Sequence, residues 1–490
     1  MAEVGYSSKY EVYLTRRNGI QIVTNELSLC ILKEMRARTI TPTEMAFEFS
    51  VSKSTIQGNL GKLLRMGIVD SDICVGDARS AVYHTDAMLL FSSETPEEWQ
   101  IYARKASINR ILKNGRCSAR EDLSLYGVSL IESGLNIVPG LSGVGAALVR
   151  DIVDLSWWGE QLANLNLECE HEGIFSELDL TREFILTFTS EKEDISDVPL
   201  ITVPMLGAIR SRSKTLFGIN LCPETQLSVE DGGHTVKLKT VAYKGQDFST
   251  GIYDTDLSES FRPDAPFSIY SIKGKATLFT NPTMMAILDA LTEGDKSLND
   301  LEKSLSLPKA TVYVALVKLS DLGAIYLDED SGTPKKYVLS AEPLLFTTEP
   351  SPGNFPNLRK IVADFHDGKL DYYSAVITYA MEAISCMGIH FDKMFIRSGK
   401  HAATTVLEDR PDMDPQDFVD LSCSMISAPD EAEVTRYIPI RIRLTRSPET
   451  LWGSWPEDFL IGFLKEGLKC LLKTDYQFYI DSVYEGSGTV

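Results

Sequence analysis

Two long stretches of this 490-residue chain repeat each other. Residues 11–69 align with residues 267–325 at a constant offset of 256 and without a gap. The identical pairs include Thr24 and Thr280, Asn25 and Asn281, Ser50 and Ser306, Lys53 and Lys309, Leu60 and Leu316, and Gly67 and Gly323. The register continues further along, where Ser142-Gly143 matches Ser398-Gly399 at the same offset. A gapless match of this length indicates internal duplication.

The duplication predicts an α+β chain made of two copies of one two-domain module, each a helix-turn-helix domain followed by a mixed α/β domain. A chain of this length has room for three or four domains of ordinary size. We predict the boundaries 1–95, 96–262, 263–350 and 351–490. The second copy stops inside its last predicted strand, which leaves open whether the natural chain continues past Val490.

The first domain of each module has the pattern of three helices followed by a β-hairpin. In the first copy the third helix covers residues 53–66, and its apolar side chains recur at i, i+4, i+7 and i+8. A polar tip at residues 70–80 then separates two short strands. The second copy repeats this order with a third helix at residues 309–322.

Local signals define the start of the first copy. Asn18-Gly19 is a typical hairpin turn between two short strands. The second helix has Pro42 in its first turn, where proline is favoured. We expect Phe47 and Phe49 to anchor this helix in the core.

The segments SVSKSTIQGNLGKLLRMGIV and LSLPKATVYVALVKLSDLGAIY, each followed by a β-wing, resemble the winged helix-turn-helix of ArsR/MarR-like transcription regulators. The resemblance covers about 80 residues in each half. It implies that the third helix enters the major groove of double-stranded DNA, which is therefore the predicted partner.

The outward face of the third helix is the predicted DNA-contacting surface. In the first copy this helix carries three basic residues and no acid, whereas the second copy has Asp321 and replaces Gln57 by Tyr313. We therefore expect the first copy to contribute more of the DNA affinity. The predicted contacts of the first copy are Lys53, Ser54, Gln57, Asn59, Lys62, Arg65 and Arg79. The predicted contacts of the second copy are Lys309, Thr311, Tyr313, Lys318, Lys335 and Lys336.

Charge is distributed unevenly along the chain. The net charge is −21, but residues 1–95 carry only −1 and residues 268–349 only −3. Near-neutral first domains can approach DNA, while an acidic remainder limits non-specific binding. The same helix faces also fit solvated surfaces of protein-binding modules, so a non-enzymatic assembly scaffold stays open as the alternative function.

The second domains, residues 96–262 and 351–490, mix helices with strands. The patterns predict helices at residues 97–114 and 458–472, and strands at residues 184–188, 235–243, 436–444 and 476–484. The glycine-rich segment 134–147 and its counterpart 388–403 suit close packing of a helix on a helix or on a sheet.

The helix-then-strand ends of both second domains are similar to the C-terminal part of V4R (4-vinyl reductase-like) domains. Gly207 and Gly462 on the helix, with Glu230 and Glu485 on the following strand, carry this similarity. The cysteines of that family after the strand are absent here, which removes the support for a metal or thiol-redox role. The resemblance implies a domain that senses a small apolar molecule, and the ligand-binding residues stay unassigned.

Catalysis has no supporting motif in this chain. The HExxH and GxSxG patterns are absent, as is the phosphate-binding GxxxxGK loop. The eight cysteines are dispersed without a CxxC pair, which indicates reduced thiols and no zinc site. Apolar runs are interrupted well before the roughly 18 residues that a membrane span needs. We therefore predict a cytoplasmic protein that is not an enzyme and has no cofactor, no metal and no membrane partner.

Together these patterns predict a DNA-binding transcription regulator in which two winged helices in one chain act as a pseudo-dimer. A small-molecule effector is expected to bind the second domains and to act through the linkers into each winged helix. Homo-oligomerisation is compatible with the sequence, and the operator, the effector and the sign of regulation are left open.

Overall fold

The computed structural model combines helices with small antiparallel sheets, so the chain is of mixed α and β class. It describes residues 10–16, 18–37, 40–73, 81–85, 87–93, 98–114, 119–132, 137–148, 168–172, 182–217, 219–221, 226–244, 266–329, 332–347, 355–386, 388–390, 392–423, 431–437, 440–445 and 455–473.

The first helical unit, residues 10–93, has three helices between strands. Its elements are β1 (Tyr10–Thr15), β2 (Gly19–Val23), α1 (Glu26–Ala37), α2 (Pro42–Glu48), α3 (Lys53–Met66), β3 (Val69–Ile73), β4 (Ala81–Thr85) and β5 (Ala87–Ser93). The sheet has the order β2-β1-β5, and β3 pairs with β4 as a separate hairpin directly after α3.

Capping residues fix the ends of α2 and α3. Thr41 and Glu44 form a capping box at the start of α2. The Ser52 side chain accepts a hydrogen bond from the Thr55 backbone N–H at the start of α3, and Gly67 ends that helix at φ 72. The chain turns into β3 at this position, which requires a left-handed backbone conformation. Glycine adopts that conformation without steric strain, which explains why residue 67 is a glycine.

Residues 98–244 form one half of a central body. Their elements are α4 (Glu98–Asn114), α5 (Ala119–Glu132), α6 (Ile137–Leu148), β6 (Glu168–Glu172), β7 (Arg182–Thr189), α7 (Val198–Phe217), β8 (Ile219–Leu221), β9 (Gln226–Glu230) and β10 (Thr235–Lys244). The sheet has the order β6-β7-β10-β8, and β9 also pairs with β10. The predicted helix at 97–114 and the predicted strands at 184–188 and 235–243 are confirmed.

The second helical unit, residues 266–347, follows the same order of elements with one short extra strand. They are β11 (Ser268–Ile272), β12 (Lys275–Phe279), α8 (Pro282–Thr292), β13 (Lys296–Ser297), α9 (Leu298–Leu305), α10 (Lys309–Asp321), β14 (Ile325–Asp328), β15 (Lys336–Leu339) and β16 (Glu342–Thr347).

Residues 355–473 form the other half of the central body. Their elements are α11 (Phe355–His366), α12 (Tyr372–Cys386), β17 (Ile389–His390), α13 (Asp392–Asp409), α14 (Pro415–Cys423), β18 (Glu431–Tyr437), β19 (Ile440–Thr445) and α15 (Trp455–Leu472). The helix predicted at 458–472 is confirmed, and β17 pairs with β16 of the second helical unit.

The central strand of the main sheet in each helical unit, β1 or β11, is buried on both faces. In β1, Val12 and Leu14 belong to the core of the central body, whereas Tyr13 belongs to the core of the first helical unit. In β11, Ile269 belongs to the core of the central body and Tyr270 to the core of the second helical unit. Side chains alternate across a strand, so each sheet serves two cores at once. Each helical unit is therefore joined to the central body by its packed sheet.

The two halves of the central body share one hydrophobic core. Helix α5 packs on α12 and α13, and α6 packs on α12. Across this contact the Ser398 hydroxyl donates to the Ser129 carbonyl oxygen at 2.9 Å. The rings of Tyr126 and Phe395 lie 6.0 Å apart, centroid to centroid.

Glycines allow the closest helix contacts of the central body, between α6 and α7 and between α13 and α15. A Cβ on Gly145 would collide with the carbonyl oxygen of Pro204, and a Cβ on Gly399 would collide with that of Phe459. The predicted role of the glycine-rich segments in close packing is confirmed at these two positions.

Replacing Gly399 by Ala should destabilise the chain by about 1–3 kcal/mol, because the added methyl group meets fixed backbone of α15. The matched control is Gly58→Ala on α3, where an added Cβ has nothing within 4 Å. Alanine there should leave stability unchanged or raise it by about 0.5–1 kcal/mol. Urea unfolding followed by circular dichroism measures both, and equal midpoints for the two variants would contradict the close contact.

Two expectations are corrected by the structure. Phe47 does not anchor α2, since it is 88% exposed; Met45 is the buried residue, and positions two apart on a helix face nearly opposite directions. Phe49 does pack against the core. The single strand predicted at 436–444 is instead a hairpin of β18 and β19. The strand predicted at 476–484 lies outside the described residues.

None of the helices in the described ranges is long and apolar enough to cross a lipid bilayer.

Candidate nucleic-acid interface

Helix α3 presents a polar, basic face away from the core. It buries Ile56, Leu60 and Leu63 on its inner side. The predicted contacts that lie exposed on its outer side are Lys53, Ser54, Gln57, Lys62 and Arg65. The helix has no acidic residue, so the cations are not neutralised within it. Such a face offers charge and hydrogen-bonding groups to phosphates and base edges.

Two glycines occupy the centre of this outward face. Gly58 has open space around the position of a Cβ, and Gly61 approaches only Arg65 Nη1, at 3.8 Å. With 3.6 residues per turn they line up with Ser54 and Arg65 along the helix. The backbone of α3 can therefore come close to a partner, with cations on either side. These glycines are not among the contacts predicted from the sequence, although their spacing relative to the apolar stripe already places them outward.

Asn59 does not belong to the outward face, which corrects its prediction as a DNA contact. It is only 9% exposed. Its Nδ2 donates to the Thr55 carbonyl oxygen at 2.9 Å, and its Oδ1 accepts from the Ser28 hydroxyl at 3.0 Å. The physical reason is its spacing, three residues after Ile56 and four before Leu63, which puts it on the buried stripe. Asn59 thus ties α3 to α1.

The C-terminal end of α3 is held by the first hairpin. Asn18 Nδ2 donates to the Arg65 carbonyl oxygen at 2.9 Å. This contact fixes the end of the helix that carries the Arg65 side chain. The predicted contact Arg79 lies in residues 74–80, outside the described part of the chain.

The corresponding face of α10 is apolar at its centre. Tyr313 and Val314 are 53% and 54% exposed, and Val317 is 41% exposed. Asp321 is also exposed on this helix. Phosphates packed against these apolar side chains would lose water without gaining a hydrogen-bond donor or a cation, and Asp321 would repel them, so the α10 face fits DNA less well than the α3 face.

The cationic and polar contacts predicted in the second helical unit lie on α10 and at the start of β15. All of them are exposed: Lys309, Thr311, Lys318, Lys335 and Lys336. Lys309 Nζ donates to Asn299 Oδ1 at 2.9 Å. Lys335 Nζ lies 3.9 Å from Glu329 Oε1, which partly neutralises it.

Helix α13 of the central body is bound to the second helical unit by two ion pairs. Lys393 pairs with Asp289 of α8, and Arg397 Nη2 lies 2.9 Å from Glu342 Oε2 of β16. Lys393 also lies over the Phe346 ring, 5.4 Å from its centroid. These residues were not found from the sequence, since their partners are far away along the chain. They join α13 directly to the second helical unit.

The residues that carry the V4R resemblance give no ligand site among the described residues. Gly462 is buried on α15, where a Cβ would collide with the Ile396 carbonyl oxygen, so its role is close packing. Gly207 is buried on α7, and Glu230 pairs with Lys237 Nζ at 2.6 Å on the surface. Glu485 lies outside the described part.

Within the described residues, no group of three or more His, Cys, Asp or Glu side chains is placed to hold a metal ion. Comparison of the chain with family models, with curated proteins and with solved structures finds no match in any of the three.

Proposed function

We propose that this protein is a DNA-binding transcription regulator whose first helical unit reads double-stranded DNA through α3. The observation that carries the proposal is the exposed face of α3, which is basic, acid-free and open at Gly58 and Gly61. The hairpin of β3 and β4 directly after this helix is in the position of a wing. The motif resemblance to ArsR/MarR-like regulators supports the same function.

We further propose that the chain is a duplicated module whose halves pack like the subunits of a dimer. The offset of 256 relates α5 to α12 and α6 to α13. Helix α5 packs on α12, its counterpart in the other half. It also packs on α13, and the equivalent contact with the two halves exchanged, between α12 and α6, is present as well. Reciprocal contacts of this kind are the mark of a twofold interface.

A small-molecule effector would act through the central body in this proposal. The shared sheets and the pairs Lys393–Asp289 and Arg397–Glu342 join the body to the helical units. An effector must bind one arrangement of the helical units more tightly than an alternative arrangement, because a ligand with equal affinity for both does not change their populations. A cytoplasmic location goes with this function, and the free thiols of Cys30, Cys423 and Cys470 suit a reducing compartment.

The proposal is tested by fluorescence anisotropy of labelled double-stranded DNA fragments with the full chain. Three phosphate contacts give a salt slope of about −2.7, and thus a loss of affinity of roughly 40-fold from about 50 to about 200 mM salt. A folded chain that binds no DNA at low salt, or binds it without dependence on salt, would exclude this function.

A scaffold that binds protein is the second candidate, and a specific observation favours it for the second helical unit. The exposed Tyr313, Val314 and Val317 suit an apolar protein surface rather than phosphates.

A further inference from the structure

We propose that the central body binds a phosphate group, either as inorganic phosphate or as part of a small molecule, where α13 packs against α15. The residues that hold it are Lys400 of α13 with Lys465 and Lys469 of α15, which we call the lysine cluster. Binding at this site does not depend on DNA. Its bearing on regulation rests on the proposed function, to which it adds the chemical class of the effector.

Close packing of α13 on α15 brings the lysine cluster together. Gly399 and Gly462 let the two backbones approach so closely that a Cβ on either would collide with a carbonyl oxygen of the other helix. Lys400 directly follows Gly399. With about 100° of rotation per residue, Lys465 and Lys469 both lie within about 60° of the direction in which Gly462 faces α13. The cluster is therefore built on two rigid helices and not on loops.

Lys400 is a half-buried cation without an acid partner. Within the described residues its ammonium group makes no hydrogen bond and no ion pair. Burial lowers the pKa of Lys400, and the charges of Lys465 and Lys469 lower it further, while Glu466 opposes them. Three cations thus face one carboxylate, in a chain whose net charge is −21. A bound anion would relieve the repulsion among these cations, so the arrangement is that of an anion site.

The first half of the central body carries only part of this arrangement. At an offset of 255 the sequence of α7 also has a basic pair, Arg210 and Lys214, at the positions of the α15 pair. The third cation is missing, because the residue that matches Lys400 at the offset of 256 is Val144, which is fully buried. An apolar residue therefore satisfies the fold at this position, and packing alone does not require a lysine. We expect one site per chain, in the second half.

The lysine cluster suits a phosphate group better than a carboxylate. Each ammonium group carries one charge and three hydrogen-bond donors, and lysine binds phosphate as a point charge. A phosphate monoester near neutral pH carries a charge of about −1.5 to −2 and three strong acceptor oxygens, so it can meet all three lysines at once. A carboxylate has one charge and two oxygens. Inorganic phosphate and a phosphate ester share the required chemistry, and the experiment separates them.

The lysine cluster is close to the junction between the central body and the second helical unit. Lys400 follows Arg397 by less than one turn of α13, and Arg397 pairs with Glu342 of β16. A ligand at Lys400 is therefore near this junction, where an effector of the proposed regulator has to act.

The test is isothermal titration calorimetry of the full chain with inorganic phosphate, phenyl phosphate and acetate, at constant ionic strength and at about pH 7.5, above the second phosphate pKa of about 6. We expect both phosphates to bind and acetate not to bind. Tighter binding of phenyl phosphate than of inorganic phosphate identifies a phosphorylated small molecule as the ligand. Equal or weaker binding identifies free phosphate, and either result supports the site.

Lys400→Val should weaken phosphate binding at least about tenfold, the loss expected for one charge-assisted hydrogen bond. Without phosphate, the same variant should unfold in urea at or above the wild-type midpoint, because it removes a repelled, half-buried charge. A lysine with a merely structural role would lower the midpoint when replaced, so the two measurements separate the roles.

Two further variants fix the sign of the effect. Glu466→Gln should strengthen phosphate binding, because it removes the one acid beside the lysine cluster. The matched control is Lys369→Gln, a surface lysine that already pairs with Asp364 and Asp367, and this change should leave phosphate binding unaltered.

Three results would overturn the site. They are a folded chain that binds neither phosphate at millimolar concentration, acetate that binds as tightly as phosphate, and an unchanged phosphate affinity in Lys400→Val. Loss of DNA affinity in that variant with unchanged phosphate affinity would assign the lysine cluster to DNA instead. A chain that binds phosphate but no DNA would support the site and exclude the proposed function, so the two failures are distinguishable.

Discussion

Replacing Lys53, Lys62 and Arg65 together by Ala should weaken DNA binding of the full chain by roughly 100-fold. This follows from about 1 kcal/mol for each of three charge-assisted interactions, with about 1.4 kcal/mol per tenfold change of affinity. The salt slope should also flatten by about one unit for each cation that no longer pairs with a phosphate. Because all three side chains are exposed, the variant should fold like the wild type.

The matched comparison is Lys309→Ala with Lys318→Ala on α10. This variant should lose less affinity, because the α10 face is apolar and includes the acid Asp321. Anisotropy titrations at several salt concentrations measure both variants. Similar losses from the two sets would mean that both helical units read DNA alike, and would contradict the asymmetry.

Arg110→Met should lower the free energy of unfolding by about 3–5 kcal/mol, because it leaves a buried carboxylate without its partner. Arg110 Nη2 lies 2.9 Å from Asp197 Oδ1, and the Asp197 side chain has no exposed surface. Burial raises the pKa of Asp197, while the charges of Arg110 and Arg120 oppose that change. Arg120 would compensate part of the loss, so the lower end of the range is expected.

The control for Arg110 is a surface cation with similar ion-pair distances. Lys369 Nζ lies 3.0 Å from Asp364 Oδ1 and 2.8 Å from Asp367 Oδ2, but its side chain is 62% exposed. Lys369→Met should therefore leave stability close to that of the wild type, because surface ion pairs contribute little. Urea unfolding of the full chain compares the two, and equal effects would show that the burial of Asp197 does not matter. Adding Asp197→Asn to Arg110→Met should recover part of the stability, since it removes the uncompensated charge.

The helical units could be predicted largely from local sequence signals. Helix α3 covers residues 53–66, as its apolar period predicted. The helical period of the apolar residues in α3 also placed Asn59 on the buried stripe, but its polar side chain suggested a role on the outward face. Phe47 was assigned to the core for its apolar character, although its spacing from Met45 already pointed it outward.

The central body could not be predicted in the same way, because its contacts join residues far apart in the chain. Ser398 bonds to Ser129, and Lys393 of α13 pairs with Asp289 of α8. No local pattern of polarity encodes which helix a given helix will meet. The repeat offset related the helices to one another but gave no geometry for the pairing.

The double-sided sheets have a consequence for how the chain can be divided. Val12 and Leu14 complete the hydrophobic core of the central body from within the first helical unit, and Ile269 does so from within the second. A fragment that begins after β5 would expose the apolar surface that these strands cover, and an isolated helical unit would expose the opposite face of its own sheet. The parts of this protein are therefore expected to fold and unfold as one cooperative system, and neither helical unit can be removed or exchanged without repairing the core beneath it.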